Sequence, residues 1–353
     1  MVLPNPNIAE AWDAGPRWYH HLLRWDSFWY ATIVNDGYKY NGNDLIYQPV
    51  VFYPLYPLIA KTLTIFTGVD SLVALLVVAN VTALLSVPLL LKFVRQDCGN
   101  QVAFLTIAFL SFFPTSLFLS AGYTESLTLL LILCFFLSLK GEHYILAAAF
   151  AGLASAARST GVVLLPVLIL EVWRKFADDQ RRFFPYALFC SILATSGLWL
   201  YMLYLWSAFD SPFAFATGLA AWENGQGGGF THKFISALLL KGFFPLRLPI
   251  WPITLDVWFF LLFLTLILVH RKWLPTSLYL FALGVLMLPY FTISGGPIKF
   301  RSMTRYILLA FPVFIVMAKS CKNRPWLVPC ITGLFGALLY MYSALYSQGW
   351  WAG

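Results

Sequence analysis

From Ser71 to Tyr346 the chain is a succession of apolar runs almost free of charge, interrupted by short polar breaks and one longer loop. That pattern constrains the fold more than any other feature. Only 11% of the residues are charged and 60% are hydrophobic, against about 25% charged in a soluble domain. No core of its own can hide so much apolar surface, so the solvent must be lipid. The runs do not alternate as the strands of a membrane barrel would. The fold class is therefore an all-α polytopic integral membrane protein.

Ten spans are expected: Ser71–Val94, Gln101–Ser120, Ser126–Leu139, Tyr144–Ala157, Gly161–Trp173, Phe184–Trp206, Leu255–Val269, Pro275–Tyr290, Tyr306–Ala318 and Trp326–Tyr346. Several are shorter than the roughly 20 residues a straight span needs, so their ends reach into the flanking motifs, or they tilt or break. The connections after the odd-numbered spans hold Lys92, Arg95, Lys140, Arg174, Lys175, Arg181, Arg182, Arg271, Lys272, Lys319, Lys322 and Arg324, 12 of the 23 basic residues. The positive-inside rule makes that side cytoplasmic. The net charge of +8 is thereby spent on topology, and no nucleic-acid partner is implied. The five cysteines form no CxxC pair and read as small buried hydrophobes.

Ahead of the spans, Met1–Gly15 carries no basic segment followed by an apolar one, hence no signal peptide. Trp18 to Val34 reads as one amphipathic, aromatic-rich interfacial helix, closed by Asn35-Asp36-Gly37. Pro49–Phe66, with Pro54, Pro57 and Lys61, reads as a second interfacial or re-entrant segment. The organisation is then 1–70, a non-cytoplasmic loop with interfacial helices; 71–206, a transmembrane bundle; 207–254, a second non-cytoplasmic loop; and 255–353, the C-terminal transmembrane helices. For residues 1–70 to lie outside, a further helix must precede Met1. If instead Pro49–Phe66 is a span, Asp26 is cytoplasmic.

Charged groups near membrane depth are functional candidates by default. Asp26, in Arg24-Trp25-Asp26-Ser27-Phe28-Trp29-Tyr30, is a carboxylate among aromatics that can take a proton from a sugar hydroxyl. The plainer alternative is a surface aspartate paired with Arg24. Glu125 follows Thr124 between two apolar runs, as a substrate contact or as a helix first-turn acid behind a Thr124 cap. Arg158 faces Ser159-Thr160-Gly161, suited to a phosphate or to snorkelling. Arg301 and Arg305, four apart at the start of a span, would make a pyrophosphate or lipid-phosphate site. No His, Asp or Glu cluster has metal-ligand spacing. The Gly227-Gly228-Gly229 stretch is a loop, not a nucleotide fingerprint.

Six stretches occur in the order seen in one family. They are Arg24-Trp25-Asp26, Asp36-Gly37-Tyr38, Phe52-Tyr53-Pro54-Leu55-Tyr56-Pro57, Ser120 to Ser126, Ala157 to Gly161, and Met303-Thr304-Arg305-Tyr306. The set resembles the PIG-V mannosyltransferases, which include the enzymes adding the second mannose of GPI anchors and bacterial relatives. The resemblance implies a GT-C fold. It implies transfer of a hexose such as mannose from a polyprenyl- or dolichyl-phosphate sugar to a glycolipid, glycan or protein hydroxyl. Asp26 would be the general base, in the first external loop. Arg24, Tyr53, Tyr56, Tyr123, Glu125, Arg158, Arg301 and Arg305 would contact the substrates, with no metal or cofactor. Members generally carry a transmembrane helix ahead of RWD. A transporter or lipid flippase is the rival class, and an inactive family member acting as an assembly partner is a third. The absence of an internal repeat weighs against a transporter. A bacterial plasma membrane is favoured over the endoplasmic reticulum, because Gln348 to Gly353 holds no retention signal.

Overall fold

In lipid, every backbone N–H and C=O must find its partner inside its own segment, and apolar runs of this length meet that demand only as helices. The computed structural model of the protein describes residues 18–223, 253–292 and 302–350. Among them every regular element is a helix. We label these α1 (Asp26–Asp36), α2 (Leu55–Thr67), α3 (Ser71–Phe112), α4 (Glu125–Lys140), α5 (Tyr144–Ala157), α6 (Leu164–Lys175) and α7 (Gln180–Phe209). After the long loop come α8 (Ile253–Val269), α9 (Thr276–Thr292), α10 (Met303–Ile307), α11 (Phe311–Cys321) and α12 (Leu327–Ser347). By length and composition α3, α7 and α12 can cross a membrane, and Leu55–Thr67, Tyr144–Ala157, Leu255–Val269, Thr276–Thr292 and Phe311–Cys321 are shorter apolar helices. The protein is thus a helical, membrane-embedded chain.

Two of the expected spans share α3. Its Gly99 takes φ 81° and ψ 172°, which a residue without Cβ adopts freely. Phe93 packs on Phe311 at 5.7 Å and Phe113 on Phe314 at 5.3 Å. A straight helix would set Phe93 and Phe113 about 30 Å apart, whereas their partners are one turn apart on α11. The chain therefore folds back at Gly99.

Two other expectations change, and the stretch Pro49–Phe66 resolves into two elements. The single helix over Trp18–Val34 is instead a 3-10 stretch, Trp18–Leu22, followed by α1. The break lies at Trp25, whose φ of 52° no helix accommodates. The stretch Pro49–Phe66 becomes a 3-10 turn, Pro49–Val51, and then α2 from Leu55. Finally, Tyr306–Ala318 is split between α10 and α11, with Pro312 in the first turn of α11, where a missing N–H costs nothing.

Among the described residues the most extensive helix–helix packing joins α5 to α7. Ala148, Ala151, Gly152 and Ser155 on one helix, with Cys190, Ala194 and Gly197 on the other, are all buried. Small side chains let the backbones approach, the usual device where lipid removes any hydrophobic drive between helices. Ser155 Oγ donates to the Gly152 carbonyl at 2.7 Å and accepts from the Leu198 N–H at 3.2 Å. The opposite face of α7 leaves Leu188, Ile192, Trp199 and Leu200 exposed, as a lipid-facing surface requires.

The helices run between two unlike ends. At one end Lys140 Nζ reaches Asp97 at 2.6 Å and the Phe93 carbonyl at 3.0 Å, and Lys319 Nζ reaches the Trp273 carbonyl at 3.0 Å. At the other, α4 begins with Glu125 and α5 ends just before Arg158.

A Cβ at Gly197 would overlap the Gly152 carbonyl and the Ala156 backbone. We expect Gly197→Val to force α5 and α7 apart and to cost about 1–3 kcal/mol through overpacking. A lowered unfolding midpoint of the detergent-solubilised protein is the check.

Candidate active site

The site is assembled from four chain segments, each placing one charged group. The first is the turn Arg24–Ser27. The Ser27 N–H donates to the Arg24 carbonyl at 3.1 Å. Trp25, at φ 52° and ψ −108°, occupies the first central position of a type II′ turn, where glycine is the ordinary residue. A tryptophan there stores roughly 1–3 kcal/mol of strain. The turn opens α1 at Asp26, whose side chain is 16% exposed.

The second segment is the turn Ser120–Thr124, leading into α4 at Glu125. Its Gly122 N–H donates to the Leu22 carbonyl at 3.2 Å, joining this turn to the first segment. Thr124 does not cap α4 with its side chain; its Oγ1 accepts from Arg158 Nη1 at 3.2 Å. Arg158 is the third group, held in extended backbone between α5 and the 3-10 stretch Ser159–Val163. The fourth is Arg305 on α10.

These groups meet. Glu125 is fully buried, and its Oε1 accepts from Arg158 Nη1 at 2.5 Å and from Arg305 Nε at 2.6 Å. Arg305 Nη2 lies 2.9 Å from Asp26 Oδ2. One guanidinium therefore bridges two carboxylates, and one carboxylate bridges two guanidiniums. The group is electrically neutral as a whole, which is how buried charges become tolerable. Aromatic faces complete it. The Arg305 Cζ stands 4.7 Å from the Tyr123 ring centre and 5.1 Å from Phe118, and the Arg158 Cζ stands 4.9 Å from Tyr306. Such contacts suit cations withdrawn from water. Asp26 is the most open member of the four.

The remaining candidate residues are placed as follows. Arg24 does not pair with Asp26; its Nη2 donates to the Ser347 carbonyl at the end of α12, at 2.6 Å. Tyr123 is fully buried and its hydroxyl donates to the Arg24 carbonyl at 3.0 Å. Burial raises its pKa well above the ordinary value, so it stays a neutral donor. Tyr56 is fully buried and donates to the Leu75 carbonyl at 2.8 Å, joining α2 to α3. Tyr53 packs on Tyr201 and Phe215, in an aromatic group beside the end of α7. Arg301 lies outside the described residues.

Sequence reasoning passed over Asp256. Buried near the start of α8, it accepts from the Ser302 N–H at 3.1 Å and from the Thr304 N–H at 2.6 Å. These bonds hold the entry to α10, where Ser302 takes a left-handed φ of 66°, and so set the height of Arg305. The available signal was a lone carboxylate in an apolar run otherwise free of charge.

A family model described as mannosyltransferase (PIG-V) matches residues 4–211. The chain belongs to the PIG-V mannosyltransferase family. No curated protein and no solved structure matches it. Membership makes the protein a glycosyltransferase, a membrane enzyme that moves mannose from a lipid-linked donor to an acceptor. Asp26, Glu125 and Arg158 lie within the matched segment of this PIG-V enzyme, while Asp256 and Arg305 lie beyond it.

Removing Glu125 leaves two buried guanidiniums facing each other. We expect Glu125→Ala to cost about 3–5 kcal/mol, the usual range for breaking a buried pair. Thermal unfolding in detergent, set against wild type, measures it.

Proposed function

We propose that the enzyme transfers mannose from a polyprenyl- or dolichyl-phosphate mannose to an acceptor hydroxyl, with inversion, and that Asp26 is the general base. The observation that carries this reading is the contact of Asp26 with Arg305, itself tied to Arg158 through Glu125. It sets a carboxylate beside two cations at one end of a helical bundle.

The step balances as follows. The acceptor oxygen forms a bond to the anomeric carbon while the bond from that carbon to the phosphate oxygen breaks. The acceptor's proton goes to Asp26, and the lipid phosphate leaves with the bonding electrons. The donor phosphodiester carries one negative charge and the leaving phosphate more, so charge develops on the departing oxygen. Arg158 and Arg305 are suited to stabilise that development, the kind of electrostatic term that dominates group-transfer catalysis. In the resting arrangement Arg305 holds the Asp26 carboxylate at 2.9 Å. Donor phosphate competes for the same guanidinium, so its binding loosens the hold of Arg305 on Asp26 and leaves the carboxylate free to meet the acceptor hydroxyl.

We place this site on the non-cytoplasmic face. It lies at the opposite end of the helices from Lys140 and Lys319, and basic residues favour the cytoplasm. Ten spans in a GT-C arrangement fit that placement.

Two measurements test the reading, both with radiolabelled polyprenyl-phosphate mannose and native membrane extract as the source of acceptor. Asp26→Asn is expected to abolish transfer while the protein remains folded in the membrane; near-normal turnover would rule Asp26 out as base. Arg305→Lys keeps the charge but loses the fork that reaches two carboxylates at once. It should lower kcat/KM for the donor by about 10²-fold or more, and an unchanged value would remove Arg305 from the phosphate site.

A further inference from the structure

The strained turn that carries Asp26 is held from outside its own segment. The Arg24 N–H donates to the Tyr346 hydroxyl at 3.1 Å, and the Arg24 carbonyl accepts from the Tyr123 hydroxyl at 3.0 Å. The Tyr346 hydroxyl also stands 3.4 Å from that carbonyl. The same carbonyl closes the turn by accepting from Ser27. Both tyrosines are buried, with ring centres 6.1 Å apart, and Phe118 packs edge-on against each at 4.9 and 5.6 Å. Neither hydroxyl needs to touch substrate to matter, because Asp26 is two residues from the peptide groups they grip. A residue such as Trp25, in a backbone region that favours glycine, keeps its conformation only where its surroundings impose it.

We infer that Tyr123 and Tyr346 are positioning residues of the mannosyl transfer, clamping the Arg24 backbone so that the Trp25 turn aims the Asp26 carboxylate. Tyr346 belongs to α12, beyond the segment that the family model matches. The C-terminal helix thereby contributes to the geometry of the reacting centre, with the Arg24 side chain on the Ser347 carbonyl as a second tie between the same two segments. This rests on Asp26 being the base.

The test compares Tyr346→Phe and the double variant Tyr123→Phe/Tyr346→Phe with Asp26→Asn, each as the full chain in liposomes. The donor is polyprenyl-phosphate mannose and native membrane extract supplies the acceptor. Phenylalanine keeps the ring packing and removes only the hydroxyl. A base misplaced by a fraction of an ångström to an ångström should lower kcat about 10- to 100-fold, while the KM for the donor stays within about threefold, the signature of an interaction that matters in the transition state. Hydrogen exchange of peptides covering residues 22–30 should speed up in both variants. Full kcat in the double variant, or a loss confined to KM, overturns the clamp. If the double variant does not accumulate, Tyr346→Phe alone decides by the same criteria. Active Asp26→Asn would instead overturn the assignment of the base; hydrogen exchange still reports whether the hydroxyls hold the turn, and unchanged exchange rejects the clamp.

Discussion

The buried contact between Glu125 and its two arginines is the constraint on which the rest of the structure depends. Taking such charges out of water costs several kcal/mol each, and only close pairing with good geometry offsets it. The chain meets that demand from distant places. Glu125 opens α4, Arg158 follows α5, and Arg305 sits on α10. Aromatic rings then lie against both guanidiniums, which are buried. Asp26 joins this group through Arg305 alone. It is the member with the most access.

The sequence made a large part of this legible. The apolar runs announced a helical membrane protein, and the described elements there are helical, three of the helices being long and apolar enough to cross a membrane. Charge at membrane depth singled out Asp26, Glu125, Arg158 and Arg305, and the structure brings these four together. Their pairing was not legible. Adjacency suggested Arg24 as the partner of Asp26, yet the Trp25 turn sends Arg24 towards α12. Thr124 looked like a helix cap because of its position, but its hydroxyl serves Arg158. A left-handed tryptophan has no composition signal at all. Its cause is tertiary, in hydroxyls supplied by residues far away in the chain.

Asp256 and Tyr346 illustrate one kind of blind spot. Each works by binding backbone amides or carbonyls of a segment that bears a charged site residue. Such roles leave no spacing pattern, because the partner is the main chain, which is the same at every position. Periodicity reports which face of a helix is buried, not which peptide group it meets. The enzyme places these supports outside the matched residues 4–211, while three of the four charged groups lie inside them.

The small-residue seam between α5 and α7 has a consequence for how the two arginines differ. Arg158 is the residue directly after α5, whose last turns are locked against α7 by Gly152, Ser155 and Gly197. Its guanidinium hangs from a rigid mount. Arg305 hangs from a five-residue helix whose entry depends on two hydrogen bonds to Asp256. One cation follows a closely packed helix; the other sits on a short one pinned by a single carboxylate. In the donor site proposed above, Arg158 would then be the fixed point against which a phosphate is held, and Arg305 the cation whose place rests on the Asp256 hydrogen bonds.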